Sequence, residues 1–239
     1  MLRELRRSYE LVKGFRHEAD DPTPFYRYLA NDTLSVVGEV CDVAGARFAD
    51  VGGGPGYVAE VFRAAGAISC TIEYDWEQTT LHGRTFSRGI IGDGQRLPLR
   101  DGALDIAYTS NVIEHVRDPW RMLTELVRVV RPGGIVFVSF TNWYSPWGGH
   151  ETSPWHYIGG EYAVRRYERR HGIAPKNRYG SSLFKLHVGP VLQWARTCPD
   201  VALVEARPRY YPRFARAVLA VPGVREIATW NLAMVLRRR

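Results

Sequence analysis

The chain has 239 residues, 45% of them hydrophobic, and a formal net charge of +7. That length suits one α/β domain with a sizeable core, and the composition is that of a globular chain rather than a disordered or fibrous one. Three cysteines without metal-like spacing, a start lacking the apolar stretch of a signal peptide, and no run approaching ~18 apolar residues predict a reduced, cytoplasmic protein without membrane spans.

Residues 1–45 read as helices. Leu2, Leu5, Tyr9 and Val12 fall on one stripe, with Arg3, Arg6, Arg7 and Lys13 elsewhere, and Asp21-Pro22-Thr23-Pro24 breaks the region in two. Nearly all the positive charge is arginine, gathered near the N-terminus, between Arg165 and Arg216, and at Arg237-Arg238-Arg239. Such a field suits an acidic substrate, nucleic acid or an anionic membrane surface, and equally a solvated face.

The most informative segment comes next. A short buried strand starting at Ala46 runs into Asp50-Val51-Gly52-Gly53-Gly54-Pro55-Gly56, and a helix follows from Tyr57 to Arg63. Glycines let a ligand approach the main chain, and the helix start offers unpaired amides. Two ligands compete for such a turn. A dinucleotide fingerprint can be read at Gly54-Pro55-Gly56-Tyr57-Val58-Ala59, with Glu73 about 20 residues on. S-adenosylmethionine fits as well: Asp50 can order the loop and receive the ammonium side through water, and Glu73, ending the strand Ile68–Ile72, can accept both ribose hydroxyls.

Further strand ends follow in order. Ile90-Ile91 leads to Gly92-Asp93-Gly94-Gln95-Arg96-Leu97-Pro98, where Asp93 can accept from an adenine amino group and Leu97 can cover the ring. Asp101-Gly102 turns into a fourth strand ending at Ser110-Asn111, followed by Glu114-His115. Asp118-Pro119 opens a helix through Val130, Arg131-Pro132-Gly133-Gly134 ends it, and Ile135–Phe140 is a fifth strand. Alternating strands and helices call for a parallel sheet with right-handed crossovers, whose ligands sit beyond the carboxyl ends of the strands.

This ordered set, over roughly residues 46–141, resembles the class I S-adenosylmethionine-dependent methyltransferases, nearest to the subgroup containing the quinone-biosynthesis enzymes. The resemblance implies a Rossmann-like α/β fold with a seven-stranded, mostly parallel sheet, an antiparallel last strand and helices on both faces. It implies S-adenosylmethionine as cofactor. Glu73, with Tyr74 beside it, would bind ribose; Asp93, Gly94 and Leu97 would bind adenine. Asp50, Gly52, Gly53, Gly54, Gly56 and Asn111 would frame the methionine part. Two departures are small: Gly53 stands where many members carry Cys or another small residue, and Glu73 replaces the commoner Asp.

The segment after the fifth strand is expected to choose the acceptor. Between Thr141 and Tyr157 lie Trp143, Tyr144, Trp147, His150, Trp155, His156 and Tyr157. Trp143, Tyr144, Trp147 and Trp155 are expected as aromatic walls for a largely apolar molecule, or else as the loop's own small core. Tyr157 to Arg170 reads as a helix, and Leu183–Val188 as a segment able to close over the site. Val201–Ala206 and Asn231–Leu236 read as the last two strands, and Arg213–Pro222 as a basic, then apolar stretch able to touch lipid.

The expected organisation is one domain over 1–239: an N-terminal helical cap (1–45), a cofactor-binding core (46–141), an acceptor-side lid (142–190), and C-terminal strands with a helix (191–239). The expected reaction moves a methyl group to a small-molecule or lipid-like acceptor, more readily at oxygen than at nitrogen or carbon. A hydroxyl acceptor must lose a proton, so His150, His156 and His115 are the candidate bases, with Glu151 or Tyr144 as helpers. Glu114 and His115 can instead simply bond to backbone. The localisation expected is cytoplasmic, with peripheral contact with an anionic membrane as the alternative; the sequence leaves the oligomeric state open. An RNA or DNA methyltransferase is not expected, because Ser110-Asn111-Val112-Ile113 is not an Asn/Asp-Pro-Pro-Tyr/Phe motif and no Pro-Cys nucleophile follows that strand. An NAD(P)-dependent oxidoreductase of the short-chain type is disfavoured because Tyr9 and Lys13 precede the glycine loop. These two and a non-catalytic cofactor-binding module stand as the alternatives.

Overall fold

A strand covered on both faces is buried along nearly its whole length, and Arg47–Val51 (β1) is buried at every position after its first, Asp50 included. The computed structural model describes residues 2–16, 22–80 and 88–239. In it β1 pairs in parallel with Ile68–Glu73 (β2) on one side and Leu104–Ser110 (β4) on the other. Gly89–Ile91 (β3), Val130–Thr141 (β5), Val201–Pro208 (β6) and Asn231–Arg238 (β7) complete a seven-stranded sheet of order β3-β2-β1-β4-β5-β7-β6. β7 runs antiparallel to both its neighbours and the other pairings are parallel, which gives the expected Rossmann-like sheet.

Successive strand residues point to opposite faces, so the sheet carries two cores. On one face Phe48, Tyr108, Phe137 and Val235 pack against Pro22–Gly38 (α2) and Tyr57–Ala64 (α3), with Phe48 stacked on Phe62 at 4.0 Å between ring centres. On the other, Ala49, Ala107, Val136 and Met234 meet Pro119–Val129 (α5) and Val188–Thr197 (α7). The Asp118 carboxylate caps α5 by accepting from the Arg121 amide at 3.0 Å, and Pro119 occupies the first turn, where a missing N–H costs nothing. Among the described residues, Leu2–Arg16 (α1), Trp76–Thr79 (α4), Gly160–His171 (α6) and Val224–Ala228 (α8) are the remaining α-helices.

Several boundaries differ from the sequence expectation. The N-terminal region is in two helices as expected, α1 ending at Arg16 and α2 starting at Pro22, but Pro22 and Pro24 lie inside the first turn of α2, which tolerates proline; Asp21 lies outside the described residues. α5 stops at Val129, and Val130 already pairs with Leu104, so Arg131-Pro132-Gly133-Gly134 forms an irregular start to β5 rather than the helix end. The stripe on α1 is not the packed face. Leu5 and Tyr9 are exposed, whereas Leu11 is buried with Phe25, Leu29 and Tyr210. The cause is Arg7, one turn before Leu11, which is drawn inward to the Asp32 carboxylate and sets the rotation of the helix. The side chains of Leu2 and Val12 lie outside the described residues.

The parallel strands therefore end together. Gly52, Tyr74, Gly92, Asn111 and Asn142 each follow one of β1 to β5, at a single edge of the sheet.

Candidate functional site

The turn after β1 is built around a buried carboxylate. Asp50 is 1% exposed, and its Oδ2 has no hydrogen-bond partner. A Cβ on Gly53 would lie 2.3 Å from that oxygen, so the loop can fold over Asp50 only with glycine there. Gly52 is left-handed (φ 75°), and a Cβ on it would meet Val112 at 2.4 Å. Gly56 precedes the first turn of α3. Burial, opposed by a bond from the Ala59 backbone and helped by the Glu73 charge, pushes the Asp50 carboxyl up to about 7.

Glu73 closes the same loop from β2. Its Oε2 accepts from the Gly54 amide at 2.9 Å, and its Oε1 from the Tyr74 and Asp75 amides at 2.8 and 3.3 Å. Oε2 keeps a second lone pair while Oε1 is taken up by its two amides, so the carboxylate is oriented by main chain without being saturated. Tyr74 is exposed beside it. After β3, Asp93 Oδ1 accepts from the Gln95 amide at 2.8 Å, and Gly94 lies against Met122. Leu97 is buried in the core beneath this turn, its amide held at 2.8 Å by Glu125. Arg128 grips Glu125 and the Leu97 and Leu99 carbonyls, which ties the turn to α5. Asn111 ends β4 in a left-handed conformation (φ 55°), and its Oδ1 accepts from Asn231 of β7 at 2.7 Å.

Three of the flagged residues meet where the β4 and β5 ends adjoin. Ile113–His115 forms one 3-10 turn. Glu114 is 1% exposed; its Oε1 accepts from the Thr141 amide at 2.8 Å, and its Oε2 is buried without a partner. His115 Nδ1 lies 2.7 Å from the Ser182 carbonyl, which can only accept, so Nδ1 carries a proton and in the neutral ring Nε2 holds the lone pair. His150 arrives from the post-β5 loop with its ring centre 4.9 Å from that of His115 and its Nε2 buried without a partner. Its backbone is left-handed (φ 48°), an uncommon state for a residue with a Cβ and one that clusters at functional sites. Burial, then the His115 and His156 charges, hold the His150 imidazole down to about 3, while burial pushes the Glu114 carboxyl up.

The other loop residues divide. His156 is buried, with its two ring nitrogens facing Ser153 Oγ and the Ser145 carbonyl, and Trp143 is buried edge-on against it. These two form an inner core of the loop. Tyr144, partly exposed, stacks on His187 at 5.0 Å; Trp147 packs edge-on against Trp230 at 4.9 Å; Trp155 lies under the Arg166 guanidinium at 3.8 Å. The Leu183–Val188 strap is packed down rather than open: Leu183, Leu186 and Val188 are buried, and the Phe184 amide donates to the Glu114 carbonyl at 2.9 Å.

Sequence reading missed Ser182, Asn231 and Arg209. Arg209 is buried, with its guanidinium on Ser110, Ser139 and Thr33 hydroxyls. A charged residue one position past β6 was the only sign of it. Asn231 looked like an ordinary strand start.

Comparison with known proteins agrees with this architecture. A family model described as a methyltransferase domain matches residues 49–138. An uncharacterized methyltransferase from Mycolicibacterium gilvum is 45% identical, with 98% of this chain and 94% of that protein aligned. One from Mycobacterium ulcerans is 43% identical over 98% and 95%. Among solved structures, an S-adenosylmethionine-dependent methyltransferase from Mesorhizobium loti superposes with a TM-score of 0.55 at 16% identity, covering 87% of this chain and 98% of that one. A geranyl diphosphate methyltransferase in complex with S-adenosylmethionine superposes equally well (TM-score 0.55) at 13% identity, over 90% and 87% of the two chains.

Proposed function

The chain belongs to the S-adenosylmethionine-dependent methyltransferases, and on that premise we propose that it methylates a hydroxyl oxygen of a small-molecule or lipid-like acceptor. The observation that carries this reading is the meeting of His115, from the cofactor edge of the sheet, with His150, from the aromatic loop, at 4.9 Å. Bound S-adenosylmethionine supplies an electrophilic methyl group. Glu73 and Tyr74 would hold its ribose, and Asp93, Gly94 and Leu97 its adenine. Asp50, Gly52, Gly53, Gly54, Gly56 and Asn111 would surround its amino-acid part. The donor set suits these roles: two oriented carboxylates with spare lone pairs, and one buried carboxylate lacking a counter-charge.

The chain's own task is then to align an acceptor and deal with its proton. Glu114 and His115 follow Asn111 by three and four residues, and His150 joins them from the loop after β5; this group supports that task. An imidazole as acidic as His150 takes up a proton poorly, which favours His115 Nε2 as acceptor when the site holds nothing else. His156, engaged at both nitrogens, would position the loop. The partly exposed rings of Tyr144 and Trp155, in a loop that also carries Trp143 and Trp147, support an acceptor with a substantial apolar part. Exposed Leu5, Tyr9 and Phe214 on an arginine-rich chain support a peripheral encounter with an anionic lipid surface, although among the described residues no helix is long and apolar enough to cross a membrane.

Two measurements test the reading. Glu73→Ala and Asp93→Ala should each weaken S-adenosylhomocysteine binding by about 1–3 kcal/mol in titration calorimetry, and wild-type affinity in both would mean the nucleoside lies elsewhere. An untargeted comparison of metabolites and lipids between a deletion strain and its parent should reveal a missing O-methylated product. Loss of a methylated RNA base instead would overturn the acceptor class.

A further inference from the structure

We propose that Glu114, His115 and His150 form a binding site for a divalent transition-metal cation. Each of the three can bring one donor atom within 4.8 Å of the other two. The donors left over by the hydrogen bonding are the right ones. Glu114 Oε2 is buried and unpartnered, His150 Nε2 is buried and unpartnered, and His115 Nε2 keeps its lone pair because Nδ1 serves the Ser182 carbonyl. Burying a carboxylate oxygen and an imidazole nitrogen with nothing to bind is costly, and a dication satisfies both at once. Ligand bonds of about 2.0–2.2 Å place the donors of one ion roughly 3.5 Å apart, so a contraction of about an ångström closes the site.

The surroundings are those of a held ligand set. A metal-bound histidine usually donates its other N–H to a carbonyl or carboxylate, as His115 does to Ser182. Glu114 is fixed through its Oε1 by the Thr141 amide and through its carbonyl by the Phe184 amide. His150 is presented by a left-handed backbone (φ 48°) that points one residue of the loop back at the β4 turn. Two imidazoles and one carboxylate favour zinc, cobalt, nickel, iron or manganese over magnesium or calcium, which prefer all-oxygen shells, and three protein ligands leave positions open. On the methyltransferase reading above, an ion here would lower the proton affinity of an acceptor hydroxyl, and it would join the aromatic loop to the sheet edge.

The experiment uses the tag-free, full-length protein, stripped with a chelator and titrated with Co(II) and Zn(II). Cobalt should bind at one equivalent per chain with visible absorption bands, zinc should displace it, and either ion should raise the melting temperature. His150→Gln and Glu114→Gln should each weaken binding at least about a hundredfold, while His171→Gln, on the exposed end of α6, should leave it unchanged. If Glu114→Gln fails to fold, His150→Gln decides alone. No bands in the wild type, or undiminished binding in His150→Gln, overturns the site. Methyl transfer by a metal-free protein that binds no cobalt would remove the metal and leave the methyltransferase reading intact; cobalt binding without any methyl transfer would do the reverse.

Discussion

At the residue scale, Asp50 joins chemistry to folding most directly. Its carboxyl is pushed up to about 7 by burial, so in the folded, ligand-free protein it is easier to protonate than in the unfolded chain. A raised acid contributes stability that is complete below its unfolded value near 4 and is lost as pH rises through about 7. A ligand ammonium nearby would favour the ionised form. S-adenosylhomocysteine binding should therefore release protons near neutral pH and strengthen between about pH 6 and 8. Calorimetry in two buffers of different ionisation enthalpy reads this directly, and Asp50→Asn should abolish the release; proton uptake in the wild type would contradict it. Gly53→Ala probes the same carboxylate from the other side. Its new Cβ would stand 2.3 Å from Asp50 Oδ2, so ligand affinity should fall at least about tenfold, close to 1.4 kcal/mol. An unchanged dissociation constant would show that the loop has room to yield.

At the scale of elements, long-range carboxylates do work that local sequence cannot. The N-terminus of α7 has no side-chain cap of its own, and Glu226 of α8 accepts from the Val188 and Gly189 amides at 2.8 and 2.7 Å. Those amides would otherwise be orphaned at a helix start. Glu226→Ala should cost about 1 kcal/mol of stability in urea titration, the usual value of a lost cap. A midpoint identical to wild type would mean that water replaces the carboxylate. The change also bears on the acceptor side, because His187 precedes α7 and stacks on Tyr144.

At the scale of the whole molecule, the N-terminal helix is tied to the far edge of the sheet. Arg7 bonds to Asp32 of α2 and to the Arg209 and Tyr211 carbonyls beyond β6. Asp32 also lies within 4.0 Å of Arg207 on β6. The Arg7 and Asp32 side chains are 13% and 9% exposed, so solvent cannot readily replace a lost partner. Removing one member of such a pair strands the other, and Arg7→Ala should destabilise the fold by about 3 kcal/mol. The exposed Arg6 is the control: Arg6→Ala should stay within about 0.5 kcal/mol of wild type. Equal effects of the two would show that α1 is dispensable to the core.

The sheet, its parallel core and the edge that holds the glycine turn were legible in the residues, because burial on both faces and strand-to-helix turns are local signals. Asp50, the glycines, Glu73 and Asn111 could be flagged for the same reason: each ends a strand, and strand ends of a parallel sheet converge. The face of α1, the packing of Trp143 and His156 into the loop itself, and the partnership of Glu114, His115 and His150 were decided only by the tertiary structure. Each depends on groups tens to hundreds of residues apart, Arg7 with Asp32 and Arg209, His115 with Ser182, and a periodic pattern carries no record of which distant atom fills a vacant bond.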